Sequence, residues 1–142
     1  MAIQATIEKE PSKTLKELEE WLESENWLAM RAVAAGVAEP RLLKSKETAS
    51  YALELHRRIF QKILSQKERN ADFKILRQGL GYSLSVIVFA VPENGFKLIR
   101  KLLESGDGDV LWIVKENLKK DRLVKNFPTQ VKSLGQLLKT EK

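Results

Sequence analysis

The stretch from Gln78 to Pro92 reads QGLGYSLSVIVFAVP and holds no charge. Such a run is a strand, a membrane segment or a helix packed on many sides, and the choice constrains everything around it. It is too short to cross a bilayer, which takes about 20 apolar residues. Read from Phe73 onward, Leu76, Leu80, Leu84, Ile87, Val88 and Val91 recur at helical spacing, whereas a half-buried strand alternates every second residue. Ile75, Tyr82, Val86 and Phe89 widen the stripe until it is apolar nearly all round, so the spacing predicts a central buried helix over 71–91. Gly79, Gly81, Ser83 and Ser85 weaken that helix, each glycine by about 1 kcal/mol against alanine. Their small size favours close helix–helix contact instead.

The flanking segments read as helices too. Thr14-Leu-Lys-Glu17 has the form of a capping box, followed by Leu15, Leu18 and Leu22, and predicts a helix over 13–24. Ser24 and Asn26 are candidate caps for an Ala-rich helix over 26–38 that ends before Pro40. Ser45 caps a helix over 46–66 with Ala49, Ala52, Leu53, His56, Ile59, Phe60, Ile63 and Leu64 inward. Asn70 or Asp72 caps the central helix. Pro92 suits the first turn of the next one, which buries Phe96, Ile99, Leu102 and Leu103 and stops at Gly106. Asp107 caps a sixth helix with Val110, Ile113, Val114 and Leu118 inward, and Pro128 opens a seventh over 128–139, with Val131, Leu134, Leu137 and Leu138 inward. The expected fold is all-α: an α–α superhelix of about seven helices stacked as antiparallel hairpins, in which no hairpin buries its face alone. It forms a single domain over 1–142, with 1–12 flexible and 124–142 a capping helix.

Composition narrows function. The chain of 142 residues has no cysteine, which excludes disulfides, thiolate zinc sites and a cysteine nucleophile and fits a reducing compartment. MAIQATIEKEPSK lacks the basic flank and apolar run of a signal peptide, so a cytoplasmic location and no membrane partner are expected. Net charge is +6, and residues 115–142 hold eight Lys or Arg against three Asp or Glu. A basic end is either a solvated surface or a footprint for nucleic acid or an acidic partner.

GDGDVLWIVKENLKKDRL resembles a HEAT-type repeat, with an Asp turn leading into a second helix that opens Asp-Val. ENWLAMRAVAAGVAEPRLL is similar to a weaker copy, with Trp27 where Val110 stands. LRQGLGYSLSVIVFAVPENGF followed by D-x-DV-x-W-x-V-x-ENLKK-x-RL resembles small bacterial and archaeal HEAT-like (armadillo-type) proteins over roughly residues 20–123. Leu28 and Leu111 stand where that pattern commonly has arginine, which breaks the usual Asp–Arg ladder between repeats. The resemblance implies a protein-binding scaffold. One branch of HEAT-like folds implies DNA-alkylation repair on a basic concave face, but its active-site motif has no residue-by-residue match here.

No nucleophile elbow, phosphate-binding loop or dinucleotide fingerprint occurs. His56 is the one histidine, without metal-ligand spacing around it, and reads as a core or boundary residue, so no metal or cofactor is expected. Among Glu54, Glu68, Asp72, Glu93, Asp107 and Asp109, no spacing marks an acid–base pair, and Asp107 and Asp109 are explained by capping and the helix dipole. Trp21 and Trp27 read as core-boundary residues. Trp112 stands off the inner stripe, near Lys115, Lys119 and Arg122, which at i, i+4 and i+7 would share one face of the sixth helix. The expected function is a non-enzymatic binding module for a protein partner. The alternative is a nucleic-acid-binding or DNA-alkylation-repair-like protein using Lys115, Lys119, Lys120, Arg122, Lys125 and Trp112. Oligomeric state is left open.

Overall fold

The structure is a computed structural model that describes residues 11–23 and 26–140. The described residues form helices joined by short turns: α1 (Pro11–Glu23), α2 (Trp27–Val37), a 3₁₀ turn (Leu42–Lys44), α3 (Lys46–Ser65), α4 (Ala71–Ala90), α5 (Pro92–Glu104), α6 (Gly108–Leu118), α7 (Asp121–Asn126) and α8 (Pro128–Thr140). No strand occurs among them. The fold is all-α.

The caps follow the chemistry of the sequence. Asn26 accepts the amides of Leu28 and Ala29, Ser45 that of Thr48, Asn70 that of Phe73, and Asp107 those of Asp109 and Val110. Pro92 opens α5, and Gly106 follows its end at φ 68°, a left-handed conformation that favours glycine. Two boundaries differ from expectation. α1 begins at Pro11, whose ring presets the helical φ, so Thr14 lies inside the helix rather than capping it. Pro11 and Ser12 are therefore helical, while the rest of the segment expected to be flexible lies outside the described residues. The sixth helix ends at Leu118, because Lys120 turns extended at ψ 133° and starts α7 instead. That turn brings Leu123 into the core.

α2, α4, α6 and α8 form a row in which each packs on the next, and α1, α3 and α5 back it. α4 touches α2, α3, α5, α6 and α7, as expected of a central helix. Its small residues admit these neighbours. Arg31 of α2 lies over Gly79, the Trp112 ring of α6 lies over Gly81, and a Cβ on Gly95 of α5 would meet the Val88 backbone at 2.9 Å. Ser83 and Ser85 meet side chains of α3 and α6.

The inner stripe of α6 is buried as read, that of α5 apart from the partly buried Phe96 and with Leu98 added, and that of α3 apart from Leu53 and Leu64, with Leu55 added. α4 is corrected. Val86 is buried, but Ile75, Tyr82 and Phe89 are 44%, 50% and 47% exposed, because no helix among the described residues covers this strip. On α8 only Leu134 is fully buried and Leu137 is exposed. Burial also shifts the register of the two similar segments. Met30, Val33, Ala34 and Val37 match Val110, Ile113, Val114 and Asn117, so Met30 rather than Trp27 corresponds to Val110.

Candidate binding face

The exposed strip of α4 runs from Ile75 through Tyr82 to Phe89. On one side lie Arg31 of α2 and Lys44 of the 3₁₀ turn. On the other, the turn after α6 brings the Lys120 ammonium to 5.9 Å and the Arg122 guanidinium to 5.5 Å from the Tyr82 ring centroid. Both are within cation–π reach. Arg31, Lys44, Lys115, Lys120 and Arg122 make no ion pair among the described residues. Two cavities open along the strip. One of about 220 Å³ lies between Arg31, Ala34, Gly79 and Tyr82. The other, of about 320 Å³, lies between Leu43, Lys44, Val86, Phe89 and Arg122.

The residues expected to form a basic surface do not act as one set. Lys115, Lys119 and Arg122 do not share a helix face, since Arg122 belongs to α7. Lys119 is 2.8 Å from Glu116 and holds that carboxyl below its usual range, and Lys125 is 3.9 Å from Asp121. Trp112 is no open stacking platform. The Arg77 guanidinium lies 3.8 Å from its ring centroid, and Gly81 meets its edge.

Arg77 belongs to a bracket at the head of α6. Arg69 donates from Nη1 and Nη2 to Asp107 and from Nη1 to Asp109, and it also reaches the carbonyls of Ile63 and Gln66. Arg77 Nε approaches Asp109 at 3.1 Å without an aligned hydrogen bond, which makes the contact an ion pair only. Burial alone would raise the Asp107 carboxyl. The Arg69 hydrogen bond and the amides of Val110 and Asp109 outweigh it and hold the group below its usual range. Asp107 and Asp109 thus do more than cap a helix, and their arginines come from residues 69 and 77 rather than 28 or 111.

Two buried polar side chains fasten α4. Asn117 Oδ1 accepts the Ser85 amide at 2.7 Å, and its Nδ2 donates to the carbonyls of Leu80 and Ile113. His56, fully buried on α3, donates from Nδ1 to the Ala52 carbonyl at 3.0 Å, so its Nε2 accepts from the Ser83 hydroxyl at 2.8 Å. Burial lowers its pKa from 6.5 to about 4, so the ring is neutral near pH 7. A serine–histidine contact is also the geometry of an activated nucleophile. Ser83, however, is buried in mid-helix, where the ladder engages backbone amides that would otherwise hold an oxyanion. Among the described residues no three His, Cys, Asp or Glu side chains converge as a metal site would require, and no helix is long and apolar enough to cross a membrane.

Compared with protein-family models, curated proteins and solved structures, the chain matches none.

Proposed function

We propose that the protein is a non-enzymatic, HEAT-like helical module that holds a protein partner on the outer face of α2, α4 and the α6–α7 turn. The observation behind this reading is the exposed apolar strip Ile75–Tyr82–Phe89, bordered by cations that make no close ion pair among the described residues. A helix at the centre of a stack ordinarily buries its large apolar side chains, so three left open on one strip mark an interaction surface. The alternation of a helix row with backing helices supports the HEAT-like reading, and a cytoplasmic setting belongs to it through the absence of cysteine.

The nucleic-acid alternative rests on Tyr82 standing between Lys120 and Arg122, an arrangement in which a base could stack. It ranks second because Trp112, Lys119 and Lys125 already have partners. Two titrations separate the readings. Peptides selected from a displayed random library should perturb the amides of Gly79, Tyr82 and Ala90 in the labelled protein. Mixed-sequence single-stranded and duplex DNA should bind only weakly at physiological salt. Submicromolar DNA binding with a steep salt slope, abolished by reversing Lys115, Lys120 and Arg122, reverses the ranking.

A further inference from the structure

We propose that the cavity between the 3₁₀ turn and the C-terminal half of α4 receives one large apolar side chain from an acidic peptide segment of the partner. Lys44 and Arg122 hold the carboxylate beside that side chain. This inference rests on the protein-partner reading and specifies where and by what chemistry the partner is gripped.

At about 320 Å³ the cavity is near the lower end of ligand sites, which run from about 300 to 1,000 Å³. That size suits one bulky side chain better than a cofactor. Its apolar lining comes from Leu43, Val86, Phe89 and Ala90. Phe89 stays half exposed even though its ring meets Phe127 edge-on at 6.3 Å. Both charged lining residues, Lys44 and Arg122, are cations without an ion pair among the described residues. Asp121, next to Arg122 in sequence, pairs with Lys125, and Glu39 accepts the Arg41 amide. The Arg122 guanidinium rests near the Tyr82 ring, which limits its wandering and pre-organises it for a carboxylate. An apolar cavity with cations from two separate segments matches a side chain and a neighbouring carboxylate together. A nucleic-acid backbone would use the charges and leave the apolar walls unused.

The test titrates the full chain with short peptides centred on Glu-Phe-Glu, Gln-Phe-Gln, Lys-Phe-Lys or Glu-Ala-Glu and follows backbone amide shifts. Glu-Phe-Glu should shift Leu43, Val86 and Ala90. Gln-Phe-Gln should bind roughly tenfold more weakly, since the charge-assisted bonds are lost. Lys-Phe-Lys and Glu-Ala-Glu should leave those amides unmoved. Arg122→Glu and Lys44→Glu should each weaken Glu-Phe-Glu by a similar factor while the remaining amide spectrum stays that of the parent. Ala90→Trp should fill the cavity and block binding. Equal binding of the Glu- and Gln-flanked peptides, no binding at all, or shifts confined to Arg31, Gly79 and Tyr82 overturn the proposal. Shifts so confined leave the protein-partner reading standing, whereas tight DNA binding removes both.

Discussion

α3 and α4 are both twenty-residue helices, yet they finish their outer surfaces in opposite ways. On α3, Glu54 takes Arg57 and Arg58 from its own helix, Arg58 also reaches Glu19 of α1, and Lys62 reaches Glu23. The Arg57 hydrogen bond holds the Glu54 carboxyl below its usual range against the opposing effect of burial. Each exposed pair adds little stability, on the order of 0.5 kcal/mol, but together they give Glu54, Arg57, Arg58 and Lys62 partners within the protein. α4 has no charge after Arg77. Its uncovered strip is apolar, and the cations beside it come from α2, the 3₁₀ turn and the α6–α7 turn. One helix pairs charges on its outer surface within the protein, and the other leaves an apolar strip open.

The sharpest break in this comparison is a buried charge. Leu84→Asp should abolish soluble expression, because Leu84 has no exposure and the carboxylate would find no partner among the helices around α4. Leu64→Asp on α3 should express and melt near the parent, since Leu64 is already exposed. If both variants express equally, α4 is not the centre of the stack.

Next in size is the fastening of α4 to α6. Asn117→Ala should cost about 3 kcal/mol by denaturant unfolding, because it removes three hydrogen bonds of a fully buried side chain and leaves a cavity in its place. Removing Glu54 should cost far less.

A comparable loss should follow from acid. His56 has a folded pKa of about 4 against 6.5, so the unfolded chain binds the proton first as pH falls. Its contribution is full above pH 6.5, declines between pH 6.5 and 4, and amounts to roughly 3 kcal/mol over that window. Chemical denaturation across these pH values should show the decline in the parent and a flatter profile in His56→Gln.

The smallest effects differ in sign. Gly95→Ala should destabilise by about 2 kcal/mol, since a methyl there meets the Val88 backbone at 2.9 Å. Gly79→Ala should stabilise by up to about 1 kcal/mol, because its nearest neighbour, Arg31 Cγ, is at an ordinary 3.6 Å. Thermal melts that move in the same direction would show that the two glycines do not differ in how tightly they admit their neighbours.

Much of this architecture was legible beforehand. Local chemistry acts over a few residues, so the caps at Ser45 and Asp107, the proline at 92 and the stop at Gly106 could be read directly, and those at Asn26 and Asn70 to within two residues. α7 could not, because no proline or glycine marks the turn at Lys119-Lys120. Periodicity identified α4 as central but could not reveal that its strip at Ile75, Tyr82 and Phe89 stays exposed among the described residues. The candidate face was half visible. Lys120 and Arg122 stood out in the basic end, while Arg31 and Lys44 join them only through folding. Asn117 did leave a signal, a polar residue seven positions after Val110 on an otherwise apolar stripe.

That asparagine also makes one amide an unusual reporter. The Ser85 N–H lies deep within α4, yet it donates to a side chain of α6. Hydrogen exchange at this position should therefore follow the docking of α6 rather than the fraying of α4 alone. In Asn117→Ala the Ser85 amide should exchange faster than the amides on either side of it. The fastening grips main-chain groups, so side-chain changes at positions 80 and 85 leave its partners in place, and residue 117 alone controls it.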